Sequence, residues 1–342
     1  MTRTRTDPNL VESPLDDEPM QFREWGTTKV YPLPSPYTGD RTVGSSPDAW
    51  LQLQDPHQFV SRNHALLRYV NQRWSIVDTG SKNGLWIDGH RSSASELAPG
   101  IEVGLGRVRL IVESPRAIAQ RDLLSRFLGW APDRQVVVDR ALRQIRGYVA
   151  SEMPLWITGD DDLVAIARLI HRSFVGEQPF VVADVDDTKS RLGLARAAAR
   201  GGTLCLRSEK PVRDLPLVRA LAFDHEPSAR LVVCATTAAH VQPIEIPALA
   251  TRVDEVARII DAYARDAIAR LGAHATSYTT VDRASIASWN NQTLAGIEES
   301  VLRMIAIREF GGVTGAAPHL GVTHSSLSRW LARRTTRSRN RS

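Results

Sequence analysis

Two short segments of the chain carry residues that could bind an anion. Residues 61–64 read Ser-Arg-Asn-His, and residues 81–84 read Ser-Lys-Asn-Gly. Arg62, Lys82 and the Ser61 hydroxyl are donors suited to a dianionic phosphate, because hydrogen bonds to ionised groups are the strong ones. The chemistry that these two segments favour is therefore phosphate binding.

Short apolar runs surround both segments and predict strands. Gly, Pro, Asn and Asp separate the runs, a pattern typical of an all-β sandwich. The predicted strands lie at 27–33, 65–70, 74–77, 85–87 and 108–112. Paired strands satisfy their own backbone groups, so the loops at one end of a sandwich are available for binding. We therefore expect Ser61 and Asn83 to lie on such loops.

Four motifs follow one another at close spacing in this region. They are Val43-Gly44-Ser45, Ser61-Arg62-Asn63-His64, Ser81-Lys82-Asn83-Gly84 and the glycine-containing stretch 99–106. Their order resembles a forkhead-associated (FHA) domain, a reader of phosphothreonine. The resemblance implies a set of peptide-binding residues, namely Ser45, Ser61, Arg62, Lys82 and Asn83. It also implies that Asn83 holds the peptide backbone, that His64 braces the Ser61 loop, and that Gly44 and Gly84 are structural.

The first motif departs from the family pattern at one position. In the family, the glycine is usually followed by an arginine that contacts the phosphate, whereas here the residue is Ser45. Arg41 or Arg62 could supply the missing contact. Alternatively, the sandwich could be a purely structural module that binds proteins without phosphate.

The middle of the chain alternates apolar runs with helical patterns. Helices are predicted over 117–148, divided at Pro132, and then strands at 154–158, 179–183, 203–206 and 230–235 alternate with helical stretches such as 163–172 and 192–199. Such alternation predicts a small, mostly parallel α/β sheet. An amphipathic helical stretch over 249–271 follows. The phrases at 155–159, 201–206, 230–236 and 245–252 resemble the central AAA+ ATPase of sigma-54-dependent activators.

The residues for nucleotide chemistry are absent from this middle region. A phosphate-binding loop needs glycines and a lysine, but Gly159 is followed by the three acids of 160–162. Like charges repel phosphates, and Arg207-Ser208 stands where the resemblance implies a metal-binding acidic pair. We expect the acids to cap a helix. We predict a non-catalytic scaffold without a cofactor or metal, and a platform for possible homo-oligomers.

The C-terminal region predicts a helix-turn-helix. A long helix is predicted from Thr293 to Gly311-Gly312. Two further helices follow it, joined by a tight turn at Gly321. This arrangement resembles the Fis-type DNA-binding domain that closes sigma-54 activators. The implied DNA-binding residues are His324, Ser325, Ser328 and Arg329 for the major groove, with Arg333 and Arg334 for phosphates. A three-helix protein-binding bundle is the alternative, since Pro318 interrupts the first helix of the pair.

Composition agrees with a multidomain regulator. The 342 residues are 42% hydrophobic and 24% charged with a net charge of +5, and arginines cluster at the C-terminal end. Neither a membrane span nor a signal peptide is predicted, so we expect a cytoplasmic protein. Cys205 and Cys234 lie in apolar runs and are expected to be core thiols.

The predicted order of domains leads to one main functional interpretation. The predicted domains are a flexible arm (1–20), an FHA domain (21–115), a degenerate AAA+-like domain (116–275), a linker (276–292), a helix-turn-helix (293–336) and a basic tail (337–342). The expected function is phosphothreonine-dependent transcription regulation without enzymatic activity, with a phosphothreonine protein and double-stranded DNA as partners. Two alternatives are an adaptor that joins phosphoproteins without binding DNA and an active sigma-54-dependent ATPase.

Overall fold

The structure divides into two compact units. This computed structural model describes residues 17–34, 39–151, 153–209, 229–238, 241–289 and 293–339. Most of the predicted arm (1–16) and the end of the predicted basic tail (340–342) lie outside the described residues. The first unit comprises described residues within Met1–Ser125 and Trp130–Leu142, and the second those within Arg126–Gly129 and Arg143–Ser342.

The first unit contains the predicted all-β sandwich. Its strands are β1 (Gln21–Glu24), β2 (Val30–Pro32), β3 (Arg41–Gly44), β4 (Leu51–Gln52), β5 (Ala65–Val70), β6 (Arg73–Asp78), β7 (Leu85–Ile87), β8 (His90–Ser92), β9 (Ala94–Glu96), β10 (Glu102–Leu105) and β11 (Val108–Glu113). One sheet has the order β2-β1-β11-β10-β7-β8 and the other β4-β3-β5-β6-β9. Inward side chains such as Phe22, Leu67, Ile76 and Leu110 form a shared core, as expected when alternate residues of each strand face inward.

Two helices follow the sandwich. They are α1 (Pro115–Leu128) and α2 (Gln135–Ser151), joined by a 3₁₀ turn at Pro132–Arg134. Pro132 occupies the first position of that turn, where its missing N–H is not needed. The predicted break at this proline is therefore confirmed.

A buried arginine connects the sandwich to the segment 130–142. Phe22 on β1 faces the core, so the next residue, Arg23, points to the opposite face and is completely buried there. Its guanidinium donates to Glu113 Oε1 at 2.7 Å and makes a bidentate pair with the Asp139 carboxylate. The Gly26 N–H also donates to Asp139, at 2.6 Å. Burial alone would lower the pKa of Arg23, but the hydrogen bond and charge of Asp139 and the charge of Glu113 outweigh burial and raise it.

Asp139→Asn should destabilise the first unit strongly. The substitution leaves the Arg23 guanidinium buried with one fewer compensating charge, so we expect the free energy of unfolding to fall by about 3–5 kcal/mol. Denaturant unfolding of the whole chain measures the change. Glu96→Gln is the matched control because its pair with Arg73 is exposed, and such pairs contribute about 0–1 kcal/mol. Equal effects from the two substitutions would refute the structural role of Asp139.

The second unit is built on a parallel sheet with helices, as predicted. Its strands are β12 (Leu155–Gly159), β13 (Phe180–Asp184), β14 (Thr203–Ser208), β15 (Arg230–Ala235) and β16 (Ile244–Ile246), in the order β13-β14-β15-β12-β16. All four pairings are parallel. Continuous burial along β12, β14 and β15 is typical of a parallel sheet covered on both faces. Cys205 and Cys234 are free and buried, which confirms their prediction as core thiols.

Seven helices of the described second unit complete its fold. They are α3 (Leu163–Phe174), α4 (Lys189–Ala198), α5 (Val256–Leu271), α6 (Thr280–Ser288), α7 (Leu294–Glu309), α8 (Val313–Leu320) and α9 (His324–Arg339). The predicted linker over 276–292 is wrong in part, because α6 occupies most of it. Thr279 and Asp282 form a reciprocal capping box at the start of α6, and Arg308 pairs with Asp282 through both guanidinium nitrogens.

A buried polar network lies against the sheet. The carbonyl of Gln178 can only accept, so His171 Nε2 donates to it at 2.8 Å and His171 Nδ1 accepts from the Thr203 hydroxyl at 2.9 Å. Thr203 in turn accepts from the Tyr148 hydroxyl at 2.5 Å. Burial lowers the pKa of His171 and raises that of Tyr148 to about 12. These neutral groups satisfy one another and stabilise the packing. Among the described helices, none combines the length and apolarity needed to cross a membrane.

Candidate functional site

The loops that carry the two predicted binding segments are bonded to each other. The Lys82 N–H donates to the Ser61 hydroxyl at 3.1 Å, and the Asn83 amide donates to the Phe59 carbonyl at 2.7 Å. Thr79 adds two bonds, from its N–H to the His64 carbonyl and from its hydroxyl to the Asn63 carbonyl. The structure therefore brings the two predicted segments into one hydrogen-bonded surface at an end of the sandwich.

His64 braces both loops from below. Its side chain is completely buried. Nδ1 accepts from the Ser61 N–H at 3.1 Å, so the ring proton must be on Nε2, which donates to the Gly84 carbonyl at 3.1 Å. This geometry agrees with the bracing role implied by the family resemblance.

Gly44 allows the first motif to approach the Ser61 loop. The Ser45 and Ser46 N–H groups donate to the Ser61 and Arg62 carbonyls at 3.0 and 3.1 Å. A Cβ at Gly44 would lie 2.0 Å from the Arg62 carbonyl oxygen, which no side chain can tolerate. Only glycine therefore permits these backbone bonds.

Ser45 differs from the prediction that it contacts the peptide. Its hydroxyl lies 2.9 Å from the Val60 carbonyl, and because a carbonyl cannot donate, the single hydroxyl proton of Ser45 is used in that bond. The side chain thus has no proton to donate to a phosphate. We reassign Ser45 to the structural group with Gly44.

The remaining predicted residues keep donors available. The Ser61 hydroxyl accepts from Lys82 N, so its own proton is not used in that bond. The Arg62 and Lys82 side chains are exposed, and neither forms an ion pair within the described part of the chain. One hydrogen of the Asn83 amide is committed to Phe59, which leaves the second hydrogen and the side-chain carbonyl oxygen. This arrangement suits a dianion next to an extended peptide backbone.

Gly44→Ala should separate the two loops. The added methyl group must displace the Arg62 carbonyl, and such overpacking costs about 1–3 kcal/mol. Amide hydrogen exchange at Ser45 and Ser46 should become faster, and denaturant unfolding should show the loss of stability. Gly147→Ala in α2 is the control, since a Cβ there meets no atom within 4 Å and should stabilise its helix by about 0.5–1 kcal/mol. Unchanged exchange in Gly44→Ala would contradict this account.

The C-terminal helices present the predicted face of α9. Gly321 has a positive φ of 64° and makes the turn between α8 and α9, and the Thr323 hydroxyl accepts from the Ser326 N–H at 3.2 Å. Leu327 and Trp330 are buried. The side chains that the sequence assigned to the major groove, with Arg333, are exposed, namely His324, Ser325, Ser328, Arg329 and Arg333.

Arg334 differs from its predicted role as a phosphate contact. Its guanidinium carbon lies 4.4 Å from the ring centroid of Trp330 and 5.4 Å from that of Trp289. Such stacking contributes packing as well as cation–π attraction. We therefore treat Arg334 as part of the helical core and retain Arg329 and Arg333 as the outward cations.

Two carboxylates of the acidic loop after β12 accept hydrogen bonds from backbone N–H groups at helix N-termini. Asp162 accepts from the Ala165 N–H at 3.1 Å and caps α3, and Asp161 accepts from the Leu294 N–H at 2.8 Å at the start of α7. At the end of β14, two strands from β12 in the sheet, Arg207 pairs with Asp184 of β13 at 2.9 Å. No group of three or more His, Cys, Asp or Glu side chains among the described residues is arranged to hold a metal ion.

Arg91 belongs to the same loop surface but was not among the predicted residues. It faces Trp86 across the β7–β8 hairpin, and its guanidinium lies against Gly84. The sequence contained a usable indication, since Asp88-Gly89 is a strong signal for a two-residue hairpin turn. Both residues have positive φ, 49° and 83°. That turn places position 91 opposite position 86.

Comparisons with known proteins identify the sandwich. Residues 41–106 match the FHA domain family. The oxoglutarate dehydrogenase inhibitor of Corynebacterium diphtheriae is 36% identical over 77 residues, which are 22% of this chain and 52% of that protein. The glycogen accumulation regulator GarA of Mycobacterium tuberculosis is 37% identical over 70 residues, 20% of this chain and 42% of that protein. A solved FHA domain from Chlamydia trachomatis is 26% identical and covers 28% of this chain and 98% of its own, with a TM-score of 0.25.

These matches cover the sandwich and only part of each curated relative. The chain spans about half the length of the curated relatives it matches, or less. Residues 41–106 of the sandwich are an FHA domain, which confirms the first part of the predicted architecture.

Proposed function

We propose that this chain is a phosphothreonine-dependent transcription regulator. In this proposal the FHA domain receives the signal, the α/β region is a non-catalytic scaffold derived from an AAA+ ATPase, and α8 and α9 form a helix-turn-helix that binds double-stranded DNA. The observation that carries the proposal is the bond between the two loops, from the Lys82 N–H to the Ser61 hydroxyl, with the exposed cations of Arg62 and Lys82 on those same loops.

Each residue of that surface has a defined task. The Ser61 proton and the cations of Arg62 and Lys82 bind the phosphate oxygens, and the Asn83 amide binds the peptide backbone beside the phosphothreonine. His64 and Gly44 contribute by fixing the loops before the ligand arrives, which reduces the ordering cost of binding. A phosphate that meets fixed donors on two loops would be distinguished from an unmodified threonine by charge-assisted bonds.

The non-enzymatic role of the α/β region rests on its charges. A nucleotide phosphate at the start of α3 would meet the carboxylates of 160–162, two of which are bonded to helix N-termini. Arg207 holds a cation at the strand end where a metal-binding acid is expected. These features favour a scaffold over ATP hydrolysis. Self-association through this region stays a prediction.

The DNA-binding role rests on the outer face of α9. Exposed His324, Ser325, Ser328 and Arg329 occupy the first turns of the helix, which is the part of a recognition helix that contacts base edges. Arg329 Nε donates to the Ser325 carbonyl at 3.2 Å, so the outer guanidinium nitrogens can point away from the helix. The competing function is an adaptor that binds phosphoproteins and no DNA.

Ser61→Ala, Arg62→Ala and Asn83→Ala should each weaken binding of phosphothreonine peptides. Loss of one charge-assisted hydrogen bond at Ser61 or Arg62 corresponds to about 10- to 100-fold in Kd, and loss of the neutral bond from Asn83 to the peptide backbone to about 2- to 10-fold. Calorimetry of the whole chain with a degenerate phosphothreonine peptide library measures this loss. Ser45→Ala is the matched control and should change Kd far less, because its proton is used by Val60. Equal affinity of the wild type for phosphorylated and unphosphorylated peptides would refute the reader.

Arg329→Ala combined with Arg333→Ala should reduce DNA binding and its salt dependence. Each lost phosphate contact lowers the slope of log K against log salt by about 0.9. Fluorescence anisotropy with duplex DNA over a range of salt concentrations measures the slope. Arg329→Lys is the control, since it keeps the charge but not the two-pronged geometry. Absence of salt-dependent DNA binding by the wild type would favour the adaptor.

A further inference from the structure

Arg91 is an exposed cation beside the phosphopeptide surface. A Cβ at Gly84 would lie 2.7 Å from Arg91 Nε and 3.2 Å from both Cζ and Nη2. The guanidinium therefore crosses directly over Gly84, and the absence of a side chain at position 84 leaves room for it. Glycine is therefore needed at position 84 for two reasons. It adopts a positive φ of 76°, and it leaves space for the Arg91 guanidinium.

The charge of Arg91 is not neutralised by a carboxylate in the described part of the chain. Three other arginines on the sandwich strands pair with carboxylates, namely Arg68 with Asp40, Arg73 with Glu96 and Arg109 with Glu102. Arg91 is exposed and has no such partner among the described ion pairs. In this respect it resembles Arg62 and Lys82.

Trp86 forms the other side of this surface. Its side chain is 40% exposed, and its indole N–H donates to the Asn83 carbonyl at 3.0 Å. Because Trp86 faces Arg91 across the hairpin, an apolar ring and a cation stand side by side next to Asn83. We call Trp86 and Arg91 the flanking pair.

The flanking pair lies further along the loop than Lys82, one of the proposed phosphate donors. Lys82 is the residue bonded to Ser61, whereas the Arg91 guanidinium touches Gly84, two residues further along. Consecutive Cα atoms are about 3.8 Å apart, so the Arg91 guanidinium, which lies against Gly84, is about one residue from Asn83 and two from Lys82 along the loop. An extended peptide advances about 3.3 Å per residue, so residues within about three of the phosphothreonine can reach the flanking pair.

We propose that Arg91 is a specificity-determining residue that selects peptides with an aspartate or glutamate within about three positions of the phosphothreonine. The inference rests on the proposed phosphopeptide function and names the ligand chemistry of that surface. The carboxylate pairs with the guanidinium, and the Trp86 ring packs against the stem of the same acidic side chain. The phosphate itself stays with Ser61, Arg62 and Lys82.

The test compares peptides and variants in one design. Phosphothreonine peptides carry aspartate or asparagine at one flanking position at a time, from three residues before to three residues after, and Kd is measured by fluorescence polarisation with the whole chain. The wild type should prefer aspartate at one or more positions by about three- to fivefold, as for a partly exposed ion pair. The preference should decrease with salt. Arg91→Gln should remove it and keep the dependence on phosphorylation, and Arg91→Lys should keep part of it.

Arg73→Gln is the matched control. It removes the same charge from the same domain at an exposed arginine outside the loop surface, and it should retain the aspartate preference. An aspartate preference that persists in Arg91→Gln, or is missing from the wild type, would overturn the inference while leaving the reader intact. An equal loss of affinity for every phosphopeptide would place Arg91 on the phosphate instead and would also overturn it. Loss of phosphorylation dependence already in the wild type would refute the proposed function itself.

Discussion

The buried guanidinium of Arg23 is the interaction on which the first unit depends. An arginine that is completely buried is costly unless its charge and its donors are satisfied, and the chain meets this demand from three places. Glu113 comes from the last strand, Asp139 from α2 and the Thr27 carbonyl from the turn after β1. Gln21 and Arg121 also bind Glu113. This constraint explains why residues 130–142 belong to the compact unit of the sandwich and not to the α/β unit.

At the binding end of the sandwich, uncharged groups make the hydrogen bonds between the loops, in contrast to the buried ion pairs of Arg23. There the loops are held by neutral bonds, from His64 to both loops and from the backbone at Gly44 to Ser61 and Arg62. Arg62 and Lys82 remain exposed on these loops, and Arg91 is exposed against Gly84, so the surface favours an anionic ligand.

In the second unit, the acidic loop after β12 stabilises the starts of two helices. Asp161 and Asp162 each satisfy a backbone N–H at the start of a helix, one at α7 and one at α3, where a negative charge is favourable. Helix α7 packs along α5 and also contributes Ala306 to the core of the last two helices. The proposed helix-turn-helix therefore shares a helix with the α/β region, which is a direct physical route between them.

Sequence patterns identified elements whose determinants are local. The strands 65–70 and 85–87 were predicted at their observed bounds, because alternation and flanking turns are properties of neighbouring residues. Helix α7 was predicted from Thr293 to Gly311 for the same reason, since its cap and its apolar spacing lie within the helix. Short strands such as β1 and β8, and helix α6 within the expected linker, carry too few periodic residues to be recognised.

The sequence by itself determined the residue types that can bind a phosphate, the alternation that builds a sandwich and a parallel sheet, and the caps and turns of the last helices. Only the tertiary structure decided which partner each polar group takes. It committed the Ser45 proton to Val60, stacked Arg334 on Trp330 and laid Arg91 over Gly84. It also joined Arg23 to Asp139, 116 positions away. The reason is physical: periodicity and capping arise from interactions within a few residues, whereas the environment of a side chain depends on which distant segments pack against it.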